Sequence, residues 1–176
     1  MSEHTKSPVR LLIHGASGRM GQALLRLAAE RADLSVVAAY SRSQPPQRVI
    51  DGVPHFAVGE LSGAPEFDVA IDFSLPQGFD PVLALCAARG KALVSGTTGL
   101  TSVQNAAIND AANGIAVVWA ANYSLGVAVL TELVRRAAAA LPGWDCDVVE
   151  AHHTRKLDAP SGTALHLGAA AAIGRG

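Results

Sequence analysis

Three glycines within eight residues constrain this chain more than any other feature. Gly15, Gly18 and Gly21 lie in HGASGRMG, directly after the apolar run Val9 to Ile13. Directly behind them, from Arg19 to Arg31, the apolar residues Met20, Ala23, Leu24, Leu27 and Ala28 recur at helical spacing. The local reading is strand, tight turn, helix. Glycine in such a turn permits a sharp reversal, lets a pyrophosphate approach backbone N–H groups, and lets helix and strand pack closely, while the helix start supplies partial positive charge. The spacing is GxxGxxG, with the first glycine displaced from the commoner GxGxxG position at Ala16. The strand before and the helix after therefore carry the reading as a dinucleotide-binding loop, and a purely structural turn is the alternative.

The same alternation continues. Leu34 to Tyr40 is a second β-rich run, closed off by the Pro/Gln-rich stretch Ser43 to Gln47. Apolar runs recur at Val69 to Phe73, Ala92 to Ser95 and Ile115 to Trp119, separated by helical patterns at Phe79 to Arg89 and Thr101 to Ala112. Five short strands alternating with helices predict an α/β, Rossmann-like, doubly wound parallel sheet, because parallel neighbours need crossover connections. After Asn122 the pattern changes: Ser124 to Leu141 reads as one long helix ended by Pro142-Gly143. A sixth β-like run, Cys146 to His153, precedes a polar loop, Thr154 to Pro160, and an Ala-rich helix starting near Ser161. This places a dinucleotide-binding domain at residues 1–123. Residues 124–176 form a second segment whose single β-like run, flanked by helices, cannot complete a sheet, so it is expected to expose apolar surface.

Charge sharpens the functional classes. The chain has 176 residues, 14 Lys+Arg against 15 Asp+Glu, a formal charge of −1 and therefore no bulk positive field for nucleic acid or a membrane surface. With 49% hydrophobic residues and 33 alanines it has material for a packed core, which excludes disorder. Met1 to Pro8 lacks the apolar segment of a secretory signal, and the Ala-rich end is interrupted by His166 and Gly168, so a soluble cytoplasmic protein is expected. Cys86 and Cys146 lie far apart with no CxxC spacing, which supports neither a disulfide framework nor a cysteine zinc site.

Two segments carry candidate chemistry. At the end of the second strand, where an NAD site would place an acid for the ribose hydroxyls, stand Ser41 and Arg42. A guanidinium can pair with a 2′-phosphate, and Arg19 could approach the same group, so NADPH is favoured over NADH; solvated surface arginines are the alternative. The second segment is EAHHTRKLDAPSGTA, Glu150 to Ala164. On a strand, Glu150 and His152 would share one face, with Ala151 and His153 on the other, and Lys156 would follow in the loop. Ser161, Gly162 and Thr163 then open a helix after Pro160, offering free N–H groups and hydroxyls to an anion. A histidine and a lysine facing such a site suit a carboxylate substrate whose reaction needs a proton donor. Taken singly, Ser161 reads equally as an N-cap and each histidine as structural. A metal bound by His152, His153 and Cys146 is the competing chemistry, disfavoured because adjacent strand residues point apart.

These motifs resemble dihydrodipicolinate reductase. The resemblance runs through HGASGRMG, DFSLPQG at Asp72 to Gly78, SGTTGL at Ser95 to Leu100, AANYSLGV at Ala120 to Val127, and EAHHTRKLDAPSGTAL at Glu150 to Leu165. It implies hydride transfer from NAD(P)H to the cyclic dicarboxylate 4-hydroxy-tetrahydrodipicolinate, giving tetrahydrodipicolinate with loss of water, a step of lysine and diaminopimelate biosynthesis. Matched residue by residue, His152 would donate the proton and Lys156 would stabilise the group that gains electron density. His153, Gly162 and Thr163 would bind the substrate. Gly15, Ser17, Gly18, Arg19, Met20, Gly21, Ser41 and Arg42 would hold the cofactor from the glycine loop to the second strand, with Gly96, Thr97, Thr98, Ala121, Asn122 and Tyr123 at its nicotinamide end. No metal is implied. Ser41 departs from the acid that many members carry before the arginine. The resemblance makes residues 124–176 the beginning of a second, α+β, substrate-binding domain, incomplete in itself: family members continue beyond SGTAL into a mixed sheet through which they form homotetramers, whereas this chain stops at Gly176. A nucleotide-binding protein without turnover is the alternative in another class; a short-chain dehydrogenase is disfavoured because Val127 stands where YxxxK after Tyr123 would need lysine.

Overall fold

A computed structural model describes residues 7–43, 46–152, 154 and 159–176. The chain divides into two compact units, one ending at Ala120 and the other running from Ala121 to Gly176. The sequence pattern sets its change three residues later, at Tyr123, where the long helix is about to begin.

In the first unit Val9–His14 (β1), Arg19–Ala29 (α1) and Leu34–Ser41 (β2) form the expected βαβ unit. Val49–Ile50 (β3) and Val53–Ala57 (β4) follow, then a 3-10 helix at Val58–Gly63. Val69–Asp72 (β5), Pro76–Arg89 (α2), Ala92–Ser95 (β6), Ser102–Ala111 (α3) and Val117–Trp119 (β7) complete the unit. The strands make one sheet in the order β3-β4-β2-β1-β5-β6-β7, parallel throughout except for the antiparallel β3–β4 hairpin at the edge. This is the doubly wound α/β architecture that the alternation predicts. The two strands it does not predict are β3 and β4. A two-residue strand shows no period, and β4 carries Pro54 and His55 where alternation would be sought; the Asp51-Gly52 turn, with φ of 49° and 79°, closes the hairpin. Pro54 is tolerated because the ladder of β4 with β2 runs only from His55 to Ala57, leaving Pro54 beside the two-residue edge strand β3 alone.

Both faces of the sheet are covered at its centre, which is why the strands there read as continuous apolar runs, while the edge strands β3 and β7 are largely exposed. Successive residues of β1 divide between two cores. Leu12 joins Tyr40, Phe67, Phe79, Val82 and Leu93 on the side of α2 and α3. Leu11 and Ile13 pack with Ala16, Ala28 and Ala39 on the side of α1. The Tyr40 and Phe56 rings, paired across β2 and β4, stack with centroids 5.2 Å apart. The topological switch falls between β1 and β5, where crossovers leave the sheet in opposite directions, and a ligand crevice is expected there.

In the second unit Leu125–Ala140 (α4) packs against Gly162–Arg175 (α5). Small residues make this approach possible: Ala138, Ala170 and Ala171 are buried, and a Cβ on Gly174 would stand 2.2 Å from the Arg135 carbonyl oxygen. The strand expected over Cys146 to His153 does not form across residues 146–152; His153 lies outside the described residues. A strand exists only through the ladder to a neighbour, and no strand is present in this unit among the described residues. Val149 is consequently 93% exposed. Leu125, Val129 and Leu133, spaced by four along α4, and Trp144 are also exposed. No described helix is long and apolar enough to cross a membrane.

Candidate active site

The glycine loop closes the C-terminal end of β1. The Gly15 and Ala16 N–H groups both donate to the Tyr40 carbonyl, at 3.0 and 2.9 Å, which ties the loop to the end of β2. Gly15 has φ of +82°, and a Cβ there would lie 2.5 Å from the Phe73 carbonyl oxygen. A Cβ on Gly21 would lie 2.3 Å from the Gly15 carbonyl oxygen, so α1 sits directly on the loop. Gly18 caps α1 without any side-chain hydrogen bond, which leaves the first-turn N–H groups of Arg19, Met20 and Gly21 without a competing side-chain acceptor. A dinucleotide's pyrophosphate fits such a cradle of backbone donors that side chains would fill.

In front of this loop is a cleft of about 660 Å³ whose lining includes His14, Gly15, Ser17, Gly18, Arg42 and Ser74. The structure therefore brings Ser17 and Arg42 to the glycine loop. Arg19 and Met20 are exposed on the first turn of α1, and Ser41 is buried beneath the loop at the end of β2. A groove of about 780 Å³ between α2 and α3 is larger, but it holds no part of the glycine loop.

Beside the cleft lies a polar knot. Asp72 ends β5 with no exposed surface, and its carboxylate receives His14 Nδ1 at 2.8 Å, Ser95 Oγ at 2.8 Å, Thr97 Oγ1 at 2.7 Å and the Ser74 N–H at 3.1 Å. Burial pushes this carboxyl up, but the hydrogen bonds from His14, Thr97 and Ser74 outweigh it and hold the group below the usual carboxylate range. Thr97 is also fixed through its backbone: its carbonyl accepts from Trp119 Nε1 at 3.0 Å and its N–H donates to Ser95 Oγ at 3.2 Å. The Gly96 backbone runs against the Phe73 ring, which a Cβ would meet at 2.1 Å. Gly96-Thr97-Thr98 is thus a held loop at the end of β6, not a free one.

The second unit gathers a separate cluster. His152 Nδ1 stands 3.5 Å from the Glu150 carboxylate, whose other oxygen accepts the Ser161 N–H at 2.7 Å. Ser161 is the N-cap of α5, with Oγ accepting from the Ala164 N–H at 3.1 Å. Asn122 Nδ2 reaches Thr163 Oγ1 at 3.4 Å, while its Oδ1 accepts the Ser124 N–H at 2.8 Å. Glu150 and His152 thus meet although the strand expected to align them is absent. Of the other residues singled out in this segment, Gly162 and Thr163 form the first turn of α5, and His153 and Lys156 lie outside the described residues.

Two family models match the chain, that for the N-terminus of dihydrodipicolinate reductase over residues 9–123 and that for its C-terminus over residues 126–175. The chain belongs to the dihydrodipicolinate reductase family. Among its relatives, the 4-hydroxy-tetrahydrodipicolinate reductase of Xanthomonas euvesicatoria pv. vesicatoria is 72% identical over 167 residues, a match covering 95% of this chain and 70% of the relative. The enzyme of the same name from Stenotrophomonas maltophilia is 69% identical over 170 residues, covering 96% of this chain and 71% of the relative. Among solved structures, a dipicolinate-bound dihydrodipicolinate reductase from Paenisporosarcina sp. TG-14 superimposes with a TM-score of 0.78 at 28% identity, covering 96% of this chain and 67% of that one.

Within this reductase fold, sequence reasoning assigned no role to Asp72 or His14. Both stand at the C-terminal ends of apolar runs, VAID and LLIH, where a lone polar residue closing a buried strand is the available signal. Trp119 gave no such signal, since its contact with Thr97 joins segments that only the sheet brings together.

Proposed function

We propose that this chain is a 4-hydroxy-tetrahydrodipicolinate reductase that prefers NADPH to NADH. The observation that carries the cofactor half is the glycine loop, whose backbone donors and uncapped helix start face the cleft beside Arg42. The nicotinamide cofactor would supply the hydride. Arg42 would pair with its 2′-phosphate, and the loop Gly96-Thr97-Thr98 would hold its nicotinamide end. Ala121, Asn122 and Tyr123 would border the same end.

For the substrate, the start of α5 already receives a carboxylate, that of Glu150 at the Ser161 N–H, and suits a second one at Gly162 and Thr163. His152 would deliver the proton to the atom that gains charge, Lys156 would stabilise that charge, and His153 would contact the substrate. Glu150, beside the His152 ring, would hold its orientation. A positioned acid typically contributes about 10²–10⁴ in rate.

The test is oxidation of NADPH by this chain with freshly generated substrate, followed by the loss of reduced-nicotinamide absorbance, together with a binding titration of both cofactors. Turnover with tighter NADPH binding supports the proposal. Binding without turnover favours a nucleotide-binding protein, and failure to bind either cofactor refutes the reading at its base.

A further inference from the structure

The parallel register puts three polar residues in one row across the centre of the sheet: His14 on β1 pairs with Asp72 on β5, and Asp72 pairs with Ser95 on β6. Side chains in register on adjacent parallel strands share a face, so the row converges on the middle residue. Each Asp72 oxygen takes two donors. Oδ1 faces His14 Nδ1 and the Ser74 N–H; Oδ2 faces the hydroxyls of Ser95 and Thr97. An ionised carboxylate is acceptor-only, with about four lone-pair sites, and these four donors fill them. No other side chain meets that demand. Asparagine at this position would have to turn an NH₂ group toward two hydroxyls, reversing both of their protons.

The four donors come from three segments. His14 leads into the glycine loop, Ser74 lies in the turn between β5 and α2, and Ser95 and Thr97 flank Gly96 in the loop after β6. The glycine loop has an independent anchor in the backbone hydrogen bonds from Gly15 and Ala16 to Tyr40. The loop after β6 has one backbone anchor, the Gly96 N–H on the Asp72 carbonyl at 2.8 Å, and beyond it Thr97 is held mainly by side chains: its hydroxyl on Asp72 at 2.7 Å with the Ser74 carbonyl at 3.4 Å, its N–H on Ser95 Oγ, its carbonyl on Trp119.

We propose that Asp72 is a positioning residue that sets the loop Gly96-Thr97-Thr98 relative to the glycine loop, and so fixes the spacing between the sites for the two ends of the cofactor. The inference rests on the cofactor reading above. Affinity for a long ligand depends on that spacing being settled before binding, since otherwise ordering the second loop is charged against the complex. Loss of Asp72 should therefore spare the adenosine half and weaken the whole dinucleotide.

The experiment uses the whole chain with Asp72→Asn, titrated with adenosine 2′,5′-bisphosphate and with NADPH, whose nicotinamide fluorescence reports its own environment. The expected result is bisphosphate affinity within about twofold of wild type, NADPH weakened about tenfold, and a reduced fluorescence change on binding. Equal losses for both ligands make Asp72 a merely structural residue and overturn the proposal, as does a folded variant that loses neither. Thr97→Val and Thr97→Ser decide the matter if Asp72→Asn does not fold. Valine, which removes one donor while leaving the carboxylate, should show the same split and serine should restore affinity; an unchanged valine variant overturns it. A wild-type chain that binds neither ligand instead overturns the cofactor reading and this inference with it.

Discussion

Replacing Gly15 by alanine should destabilise the first unit through two separable effects. The backbone there has φ of +82°, a region that costs an L-residue about 1–2 kcal/mol. The new Cβ would also stand 2.5, 2.7 and 2.8 Å from the Phe73 carbonyl oxygen, the Phe73 carbonyl carbon and the Ser74 nitrogen, all backbone atoms that cannot swing aside. Overpacking of this kind costs about 1–3 kcal/mol, so the sum is about 2–5 kcal/mol, or roughly 5–15 °C in Tm. Two other glycines separate the effects. Gly90 has φ of +62° with nothing within 4 Å of its Cβ position, so Gly90→Ala carries the conformational cost alone. Gly59 has neither restriction, and Gly59→Ala should be neutral or stabilising by up to about 1 kcal/mol. Thermal unfolding of the three variants, followed by far-UV circular dichroism, should rank Gly15→Ala well below Gly90→Ala and Gly90→Ala below Gly59→Ala. If Gly15→Ala melts with Gly90→Ala, the turn after β5 yields at no cost, and close approach between the glycine loop and that turn is not what requires glycine.

Arg42→Ala should weaken NADPH far more than NADH in a binding titration, and equal losses would refute pairing with the 2′-phosphate. His152→Ala should lower kcat by about 10²–10⁴ with little change in cofactor affinity, while Glu150→Gln should lower it less, since it removes an orienting partner and not the acid. Asp72, whose carboxyl is held below the usual range, binds fewer protons folded than unfolded, so its stabilisation is complete above about pH 4 and is lost as pH falls through its folded value. Urea midpoints across about pH 3 to 6 should fall on acidification for wild type and fall less for Asp72→Asn. Cys86, buried and with its thiol pushed up to about 12 chiefly by that burial, should resist alkylation in the native state while exposed Cys146 reacts; equal rates would contradict the packing of α2.

Much of the first unit was legible because its signals are local. Thr101 and Gln104 form a capping box that starts α3 where the sequence pattern starts it, and Gly18, the middle glycine of the cluster, is the N-cap of α1. The strands β1, β2, β5 and β6 announce themselves as apolar runs because they lie in the covered middle of the sheet, and β7, though half exposed at the edge, carries the same apolar run. Residues 146–152 show where such a signal fails: apolar, β-prone residues specify a strand only where a neighbour supplies the ladder. The β3–β4 hairpin fails in the opposite way, since a two-residue edge strand and a proline-containing neighbour carry almost no periodic signal, yet β4 pairs with β2 through three in-register residues.

The candidate site divides along the same line. By itself the sequence determined the glycine loop, the helix starts after Gly18 and Ser161, and the residue types at 150, 152, 162 and 163, because steric freedom, capping and chain direction act within a few residues. It also carried the family resemblance in contiguous motifs. Only the tertiary structure decided that His14, Asp72, Ser95 and Thr97 form one hydrogen-bonded knot, that Trp119 holds the loop after β6, and that Arg42 lines the cleft. His14 and Asp72 are 58 positions apart. Their meeting depends on the register of two parallel strands, which is set by burial across the whole sheet and not by anything written beside either residue.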